Sequence, residues 1–459
     1  MLAPDVSTRA LPTAAREPAV RILRPRFEKA LVLEHPDPLL DDYLREQGIE
    51  VERLLEETTQ DRAFVIERLR EGQHDLLFKR SRFVVDAGVL AASDRLAAVM
   101  LCCIGDDSVD KAACAEAGVL VMNDPVSNGR SVAEMVFGEM ILLARRLFHA
   151  HESGRRHVWT KDSLRRFELK GKTLTLVGLG NIGKQVASMA EGFGMHVRFF
   201  DTNEVAREVG VALGYTSSKN LLEAFREADL VSLHVSSEDA RGQHNANLIT
   251  YEHLAALGAN RGPDSPRVLI NAARGFLYDS ADLRRAIEEG HVRAAAVDVF
   301  PDEPGSKKDV WSNPYADLEP VVTTPHIGAA TEEAQPRIAA YMAGTTRLLN
   351  LYGTVRDTVF APRQTIGLDA EPPVWALAVV HSDARGTKKA IADAIYDAGA
   401  SNLQSSHRDF AKLGIAYDLS AIDRPLDAAQ LDDLVARARR LSGDEAAIRS
   451  IRQFEVTGA

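Results

Sequence analysis

Apolar residues fall in short continuous runs, separated by longer stretches in which they recur every three or four positions. "KALVLE" (29–34) reads as a buried strand, and "PLLDDYLREQG" as a helix ended by Gly48. "IEVERLL" is a second strand, "TQDRAFVIERLREG" an amphipathic helix, and "HDLLFKRSR" a strand ending in a basic loop. The alternation continues through "RLAAVMLCCIG" and "GVLVMND". Strands alternating with helices predict a parallel sheet with helical crossovers, an α/β unit.

A long apolar-striped helix is predicted over 131–150, capped by Ser131 with Glu134 three residues on. Alternation then resumes with "TLTLVGLG", "HVRFFD", "DLVSLHV", "VLINAAR", "AAAVDVF" and "PVVTTPH", a second α/β unit, and a helix near "EEAQPRIAAYMAGTTRLLNLYG" follows. Beyond Gly353 the composition turns linker-like. The rest reads strand, helix, two strands, helix, strand, the β-α-β-β-α-β order of a ferredoxin-like domain.

Composition narrows the partners. With 459 residues, 45% hydrophobic and 26% charged, the chain can bury several cores. The formal net charge of −11 argues against nucleic acid, which requires clustered Lys and Arg. No apolar run is long enough to cross a bilayer. Three cysteines, Cys102, Cys103 and Cys114, do not make a disulfide framework, and a reducing, cytoplasmic compartment is expected. Cys102 and Cys103 are read as small buried residues rather than a redox switch. The H-x-H of His149 and His151 is read as a solvated helix end, and no metal is expected. Residues 1–27, rich in Arg, Pro and Ala, are expected to be a disordered leader.

Gly178, Gly180 and Gly183 form G-x-G-x-x-G directly after a strand and at the start of a helix. The glycines permit a tight turn, close approach of the backbone to a pyrophosphate, and close helix–strand packing. The helix N-terminus offers free N–H groups and its positive dipole end to the phosphates. Asp201, about 20 residues further on, suits the ribose hydroxyls and repels a 2′-phosphate, which favours NAD over NADP. The same stretch reads G-x-x-x-x-G-K up to Lys184, but Gln185 stands where a P-loop needs a hydroxyl for Mg²⁺.

Three strings end predicted strands: "NAARG" (271–275), "VDVFPDEP" (297–304) and "TTPHIGAAT" (323–331). Arg274 can grip a carboxylate with its planar fork. His326 can take a proton from a hydroxyl as hydride leaves for the nicotinamide. Glu303 can accept from the other ring nitrogen and raise the His pKa.

With these strings, and with "RSR" (80–82), "CIGDDSVD" (103–110), "VMNDPVSNGRSVAE" (121–134) and "HVWTK" (157–161), the chain resembles the D-2-hydroxyacid dehydrogenases. The resemblance implies oxidation of a phosphorylated hydroxy acid, 3-phospho-D-glycerate, with Arg274, Glu303 and His326 as catalytic residues. It implies an NAD site formed by Gly178, Gly180, Asn181, Ile182, Gly183, Asp201, His234, Ala272, Asp298 and His326. Arg80, Ser81, Asn128, Arg274 and Lys161 would meet the substrate, Lys161 and Trp159 reaching toward a neighbouring subunit of a homo-oligomer. The implied fold is a Rossmann-type NAD domain (127–326) inserted in a flavodoxin-like substrate domain (28–126 and 327–352). A linker (353–372) would lead to an ACT-like regulatory domain (373–459). Such a domain implies an L-serine effector, but "HSDARG" keeps His381 and Gly386 of the ligand loop while placing Asp383 and Arg385 in it. Asn402 matches a second position, yet the added Asp383 charge speaks against serine binding.

Three other readings remain open from the sequence: the same machinery acting on another 2-hydroxy or 2-oxo acid, a non-enzymatic NAD-sensing regulator, and a metabolite-binding regulator acting through its C-terminal domain. The intact Arg–Glu–His set favours the enzyme, since a sensor needs only the dinucleotide site.

Overall fold

The structure, a computed structural model, describes residues 20–59, 61–239, 242–304, 309–361, 364–370 and 372–456. Near the N-terminus a short strand, β1 (Arg21–Ile22), pairs in parallel with the last strand of the chain, Arg21 opposite Ser450. This corrects the expected leader of 1–27. Arg21 is buried, its guanidinium donating to the carbonyls of Ser93 and, at 2.7 Å, Leu90, while Phe27 is 3% exposed. The remainder of the expected leader, 1–19, lies outside the described residues.

The first parallel sheet contains β2 (Lys29–Val32), β3 (Glu50–Arg53), β4 (Leu76–Lys79), β5 (Ala98–Leu101) and β6 (Leu120–Asn123), in the order β3-β2-β4-β5-β6. This is the flavodoxin-like 2-1-3-4-5 order. Its central strands are buried along their whole length, as a sheet covered on both faces requires.

The second sheet holds β7 (Thr173–Val177), β8 (His196–Phe200), β9 (Thr216–Ser217), β10 (Leu230–Leu233), β11 (Val268–Asn271), β12 (Ala294–Val297) and β13 (Val321–Thr323). The order β13-β12-β11-β10-β7-β8-β9 is all parallel and reverses direction at β7. Read from the other edge it is the 3-2-1-4-5-6 Rossmann order with one strand added, so the crevice beside β7 is where a ligand belongs.

The helix expected over 131–150 is two helices, Gly129–Arg145 and Leu147–Arg155, broken at Arg146, which adopts φ 51°. Ser131 is not the cap. Asn128 holds that place without a side-chain cap bond, because the Asp124 carboxylate closes the preceding turn by accepting from Val126 N and Ser127 N. Ser131 instead meets Thr331 Oγ1 at 2.9 Å.

The segment 353–372 is not a plain linker either. β14 (Val355–Arg356) pairs antiparallel with β15 (Thr365–Ile366). Between them Thr358 bridges Met122, and Val359 N donates to Val121 O, so this segment covers the free edge of β6. The last sheet adds β16 (Val374–Ser382), β17 (Asn402–Phe410), β18 (Ile415–Ile422) and β19 (Ile448–Val456) in the order β1-β19-β16-β18-β17, antiparallel except at β1. With its two helices it is the expected ferredoxin-like, ACT-like arrangement.

The central strands β16 and β18 are buried on both faces, while the edge strand β17 is largely exposed. Leu377 and Val379 pack against the sheet's own helices, whereas Ala378, Val380, Leu419 and Phe454 join the core of the first α/β unit, against Ile338 and Met342. Arg452, 3% exposed, fastens the two together. It donates to the carbonyls of Arg24, Pro25, Leu349 and Asn350 and lies over the Phe27 and Phe454 rings.

Candidate active site

The glycine turn has the strict geometry its sequence requires. Gly178 lies at φ 96°, and a Cβ there would come within 2.5 Å of the His234 carbonyl oxygen. At Gly183 a Cβ would meet the Gly178 carbonyl oxygen at 2.3 Å, so only glycine lets the helix Asn181–Gly192 start this close to β7. Asp201, just past β8, accepts from Leu179 N and Asn203 N, both at 2.8 Å, holding the turn against the next strand. Gln185 lies against the neighbouring long helix, where a Cβ at Gly129 would stand 3.1 Å from its Nε2. It has no metal-binding hydroxyl to offer, so the phosphate cradle fits a dinucleotide and not a P-loop. His234 follows β10; burial pushes its imidazole down to about 4, keeping it neutral, and Ser232 Oγ meets its Nε2 at 2.9 Å. Asn181 Nδ2 reaches across to Pro125 O at 2.9 Å, and Ile182 packs into the second core.

Arg274, Glu303 and His326 converge from the carboxyl ends of β11, β12 and β13. Asn271 shapes the first loop, its Oδ1 accepting from Ala273 N and its Nδ2 donating to Arg274 O, with Ala272 between. A Cβ at Gly275 would lie 2.0 Å from the Phe300 carbonyl carbon. Glycine is therefore what lets the arginine loop touch the loop bearing Glu303. Glu303 accepts from Phe300 N with one oxygen and faces His326 Nδ1 at 2.7 Å with the other.

Burial pushes the Glu303 carboxyl up, but the hydrogen bond and charge of His326 outweigh it and leave it below the usual carboxylate range. The bond to Glu303 raises the His326 pKa against the opposing pull of burial. Because Nδ1 is held by a carboxylate, Nε2 is the nitrogen left to exchange a proton.

His326 adopts φ 54°, a left-handed conformation uncommon for a side-chain-bearing residue. Asp298, 1% exposed, enforces it. Its Oδ1 accepts from Thr324 Oγ1 and Ile327 N, its Oδ2 from Gly328 N, and its carbonyl from His326 N. A residue expected in the NAD site thus also builds the histidine loop.

In the first α/β unit, the loop 80–83 follows β4. Glu34, 5% exposed, accepts from the backbone N–H of Arg80, Arg82 and Phe83, each at 2.7 Å, which shapes the loop that includes Ser81. Contacts that join the two α/β units include Asn181 to Pro125, Lys111 Nζ to Glu238 at 2.9 Å, and Arg274 Nε to Asp107 Oδ2 at 3.0 Å. Asp107 thus occupies the guanidinium expected to bind the substrate carboxylate.

Other expectations are placed differently. Trp159 is 92% exposed and Lys161 is exposed with it; among the described residues, no hydrogen bond or ion pair joins Lys161 to the Arg274–Glu303–His326 group. His149 stands near Ser153 and Glu319 on an exposed helix, consistent with a solvated face. Burial pushes the Cys102 thiol far up, Cys103 to about 11 and Cys114 to about 12, which suppresses thiolate chemistry.

Sequence reasoning missed Glu34, Asp107 and Glu139. Glu139 is 7% exposed on the long helix with one oxygen unpartnered; burial, then the charge of Asp298, push its carboxyl up to about 8. Its only signal was an acid inside an apolar helical stripe. The buried Oδ1 of Asn128 is likewise unpartnered.

Comparison with known proteins agrees with this architecture. Residues 137–328 match the family described as "D-isomer specific 2-hydroxyacid dehydrogenase, NAD binding domain". The D-3-phosphoglycerate dehydrogenase of Escherichia coli K12 is 33% identical over 382 residues, covering 82% of this chain and 89% of that one. Among solved structures, the TT0316 protein of Thermus thermophilus is similar at 30% identity and TM-score 0.58, over 69% of this chain and 95% of that one. The pyruvate reductase of Chlamydomonas reinhardtii is similar at 25% identity and TM-score 0.56, over 71% and 97%. The chain belongs to the D-isomer specific 2-hydroxyacid dehydrogenase family. It is an NAD(P)-dependent dehydrogenase of D-2-hydroxy acids, with a nucleotide domain of the Rossmann type. No helix among the described residues is long and apolar enough to cross a membrane.

Proposed function

We propose that this enzyme oxidises 3-phospho-D-glycerate to 3-phosphohydroxypyruvate with NAD. The observation that supports the phosphorylated substrate is the basic loop 80–82, its backbone fastened to Glu34, with the charges of Arg80 and Arg274 both acting on Cys103. Arg80 there supplies positive charge in an otherwise acidic protein. The E. coli relative bears this activity in its name. Asp201 supports NAD, since its carboxylate sits at the glycine turn where a 2′-phosphate would be repelled. The exposed Trp159–Lys161 segment supports an oligomer in which Lys161 serves a neighbouring copy's substrate.

In the reaction, the substrate carboxylate displaces Asp107 from Arg274, whose fork then orients the hydroxyl carbon. His326 Nε2 takes the hydroxyl proton, and Glu303 stabilises the resulting imidazolium through Nδ1–H. The Gly178–Gly183 turn and Asp201 would hold the NAD, which when bound would supply the hydride acceptor. Asn128 and the loop built by Asp298 would line the cleft on that side.

Initial rates of NADH formation with 3-phosphoglycerate, D-glycerate and D-lactate, each repeated with NADP, test this reading. A kcat/KM at least about tenfold higher for the phosphorylated acid is expected. Equal rates on the unphosphorylated acids would reassign the substrate while keeping the machinery.

A further inference from the structure

The C-terminal sheet holds a second histidine–carboxylate cluster, built on strands rather than on the loops that carry the dehydrogenase chemistry. His381 ends β16, His407 lies mid-strand on β17, and Asp418 lies on β18 between them; in register Asp418 is opposite both His407 and Val379. One donor atom from each of the three lies within 4.8 Å of the others.

The hydrogen bonds define which atoms are free. His381 Nδ1 is 2.7 Å from the Ser382 carbonyl oxygen, which can only accept, so the ring proton is there and Nε2 is a bare lone pair. His381 is 2% exposed, and this Nε2 has no hydrogen-bond partner. His407 Nε2 lies 2.9 Å from Asp409 Oδ1, and its Nδ1 lies 3.1 Å from Asp418 Oδ2. Asp418 is itself buried and oriented by Ser420 Oγ at its other oxygen.

A proton on His407 would satisfy both carboxylates but leave the His381 lone pair buried and unmet, which is unfavourable. A metal cation serves all three donors at once. Each donor then also has the outer partner that metal ligands use: Ser382 O for His381, Asp409 for His407, Ser420 for Asp418.

We propose that His381 Nε2, His407 Nδ1 and Asp418 bind a divalent transition-metal ion of the zinc class, clipping the edge strand β17 to the sheet interior. Two imidazoles and one carboxylate suit zinc or cobalt, whereas magnesium and calcium take oxygen donors. His407 is partly exposed, which leaves a path for entry and a fourth position for water. Asp418 and Asp409 supply two negative charges; the opposing charge is Lys388, exposed and on a flexible stem. The donors lie on the strands, so the site does not depend on Asp383 or Arg385 in the adjoining loop.

The test uses full-length, chelator-treated protein titrated with Co(II) as a spectroscopic probe, followed by competition with Zn(II). One Co(II) per chain is expected, with the intense visible bands of a low-coordinate site, displaced by Zn(II). His407→Ala should abolish the bands. Should that variant lose its circular-dichroism signature, Asp409→Asn decides, because its side chain is 61% exposed and only orients the ligand. It should weaken binding roughly 10–100-fold. A His149→Gln/His151→Gln double variant should bind as the parent does. Absence of stoichiometric binding, unchanged affinity in Asp409→Asn, or loss of binding in the His149/His151 variant would each overturn the site.

Discussion

Two histidine–carboxylate clusters in one chain differ in what they leave free. His326 rides a loop in a left-handed conformation, its side chain 48% exposed, with one nitrogen on Glu303 and the other open to the cleft. His407 sits mid-strand between two carboxylates, facing the buried, unpartnered nitrogen of His381. A single imidazole with one carboxylate and one open nitrogen is suited to moving a proton. Two imidazoles fixed on the strands that flank β18, with a shared lone-pair centre, are suited to holding a cation. The same residue types thus support different chemistry, decided by backbone rigidity and by which lone pairs remain unmet.

The sharpest way to break this contrast is His326→Gln. It should lower kcat by about 10²–10⁴-fold, keep NAD binding by fluorescence titration, and leave the Co(II) spectrum of the C-terminal site intact. A kcat within a few-fold of the parent would remove His326 from the proton path.

Next in size is Glu303→Gln, expected to cost on the order of tenfold to a hundredfold in kcat. It should also shift the pH profile. The bond to Glu303 raises the His326 pKa, and oxidation needs the unprotonated ring. Removing the charge therefore moves the acid limb of kcat/KM to lower pH, and a limb that stays put would show that another group titrates.

Gly275→Ala should cost roughly 1–3 kcal/mol of stability by thermal unfolding, because the new methyl meets the Phe300 backbone. It should also raise KM for the hydroxy acid, by displacing Arg274. The smallest effect belongs to Asp107→Asn, which frees Arg274 from a partly exposed ion pair. KM should fall by up to about fivefold, the equivalent of about 1 kcal/mol; an unchanged KM would mean that the bridge does not compete with substrate.

Much of the first cluster was legible along the chain because each part lies in a short local string. The glycine turn follows β7 directly, and "NAARG", "VDVFPDEP" and "TTPHIGAAT" each end a strand, where open α/β sheets place their ligands. Glu34 and Asp107 were not legible. Their partners are 46 to 49 and 167 residues away, and although Asp107 stands in "CIGDDSVD", nothing in that string says which side chain it meets. The helix boundary at Ser131 misled because its local capping pattern was outcompeted by the Asp124 turn. The stretches expected as leader and linker hold β1, β14 and β15, because short polar-rich segments become ordered when a sheet edge offers them hydrogen bonds.

The sequence by itself determined the alternating α/β architecture, the dinucleotide turn, the Arg274–Glu303–His326 set and the small C-terminal fold, since periodicity and turn chemistry act over a few residues. Only the tertiary structure decided that Asp107 engages Arg274, that Glu34 shapes the arginine loop, and that the C-terminal sheet is fastened to the first α/β unit by Arg452. It also decided that His381, His407 and Asp418 meet, 26 and 11 residues apart along the chain. Such groupings depend on strand order and register, in which residues distant along the chain become neighbours about 5 Å apart.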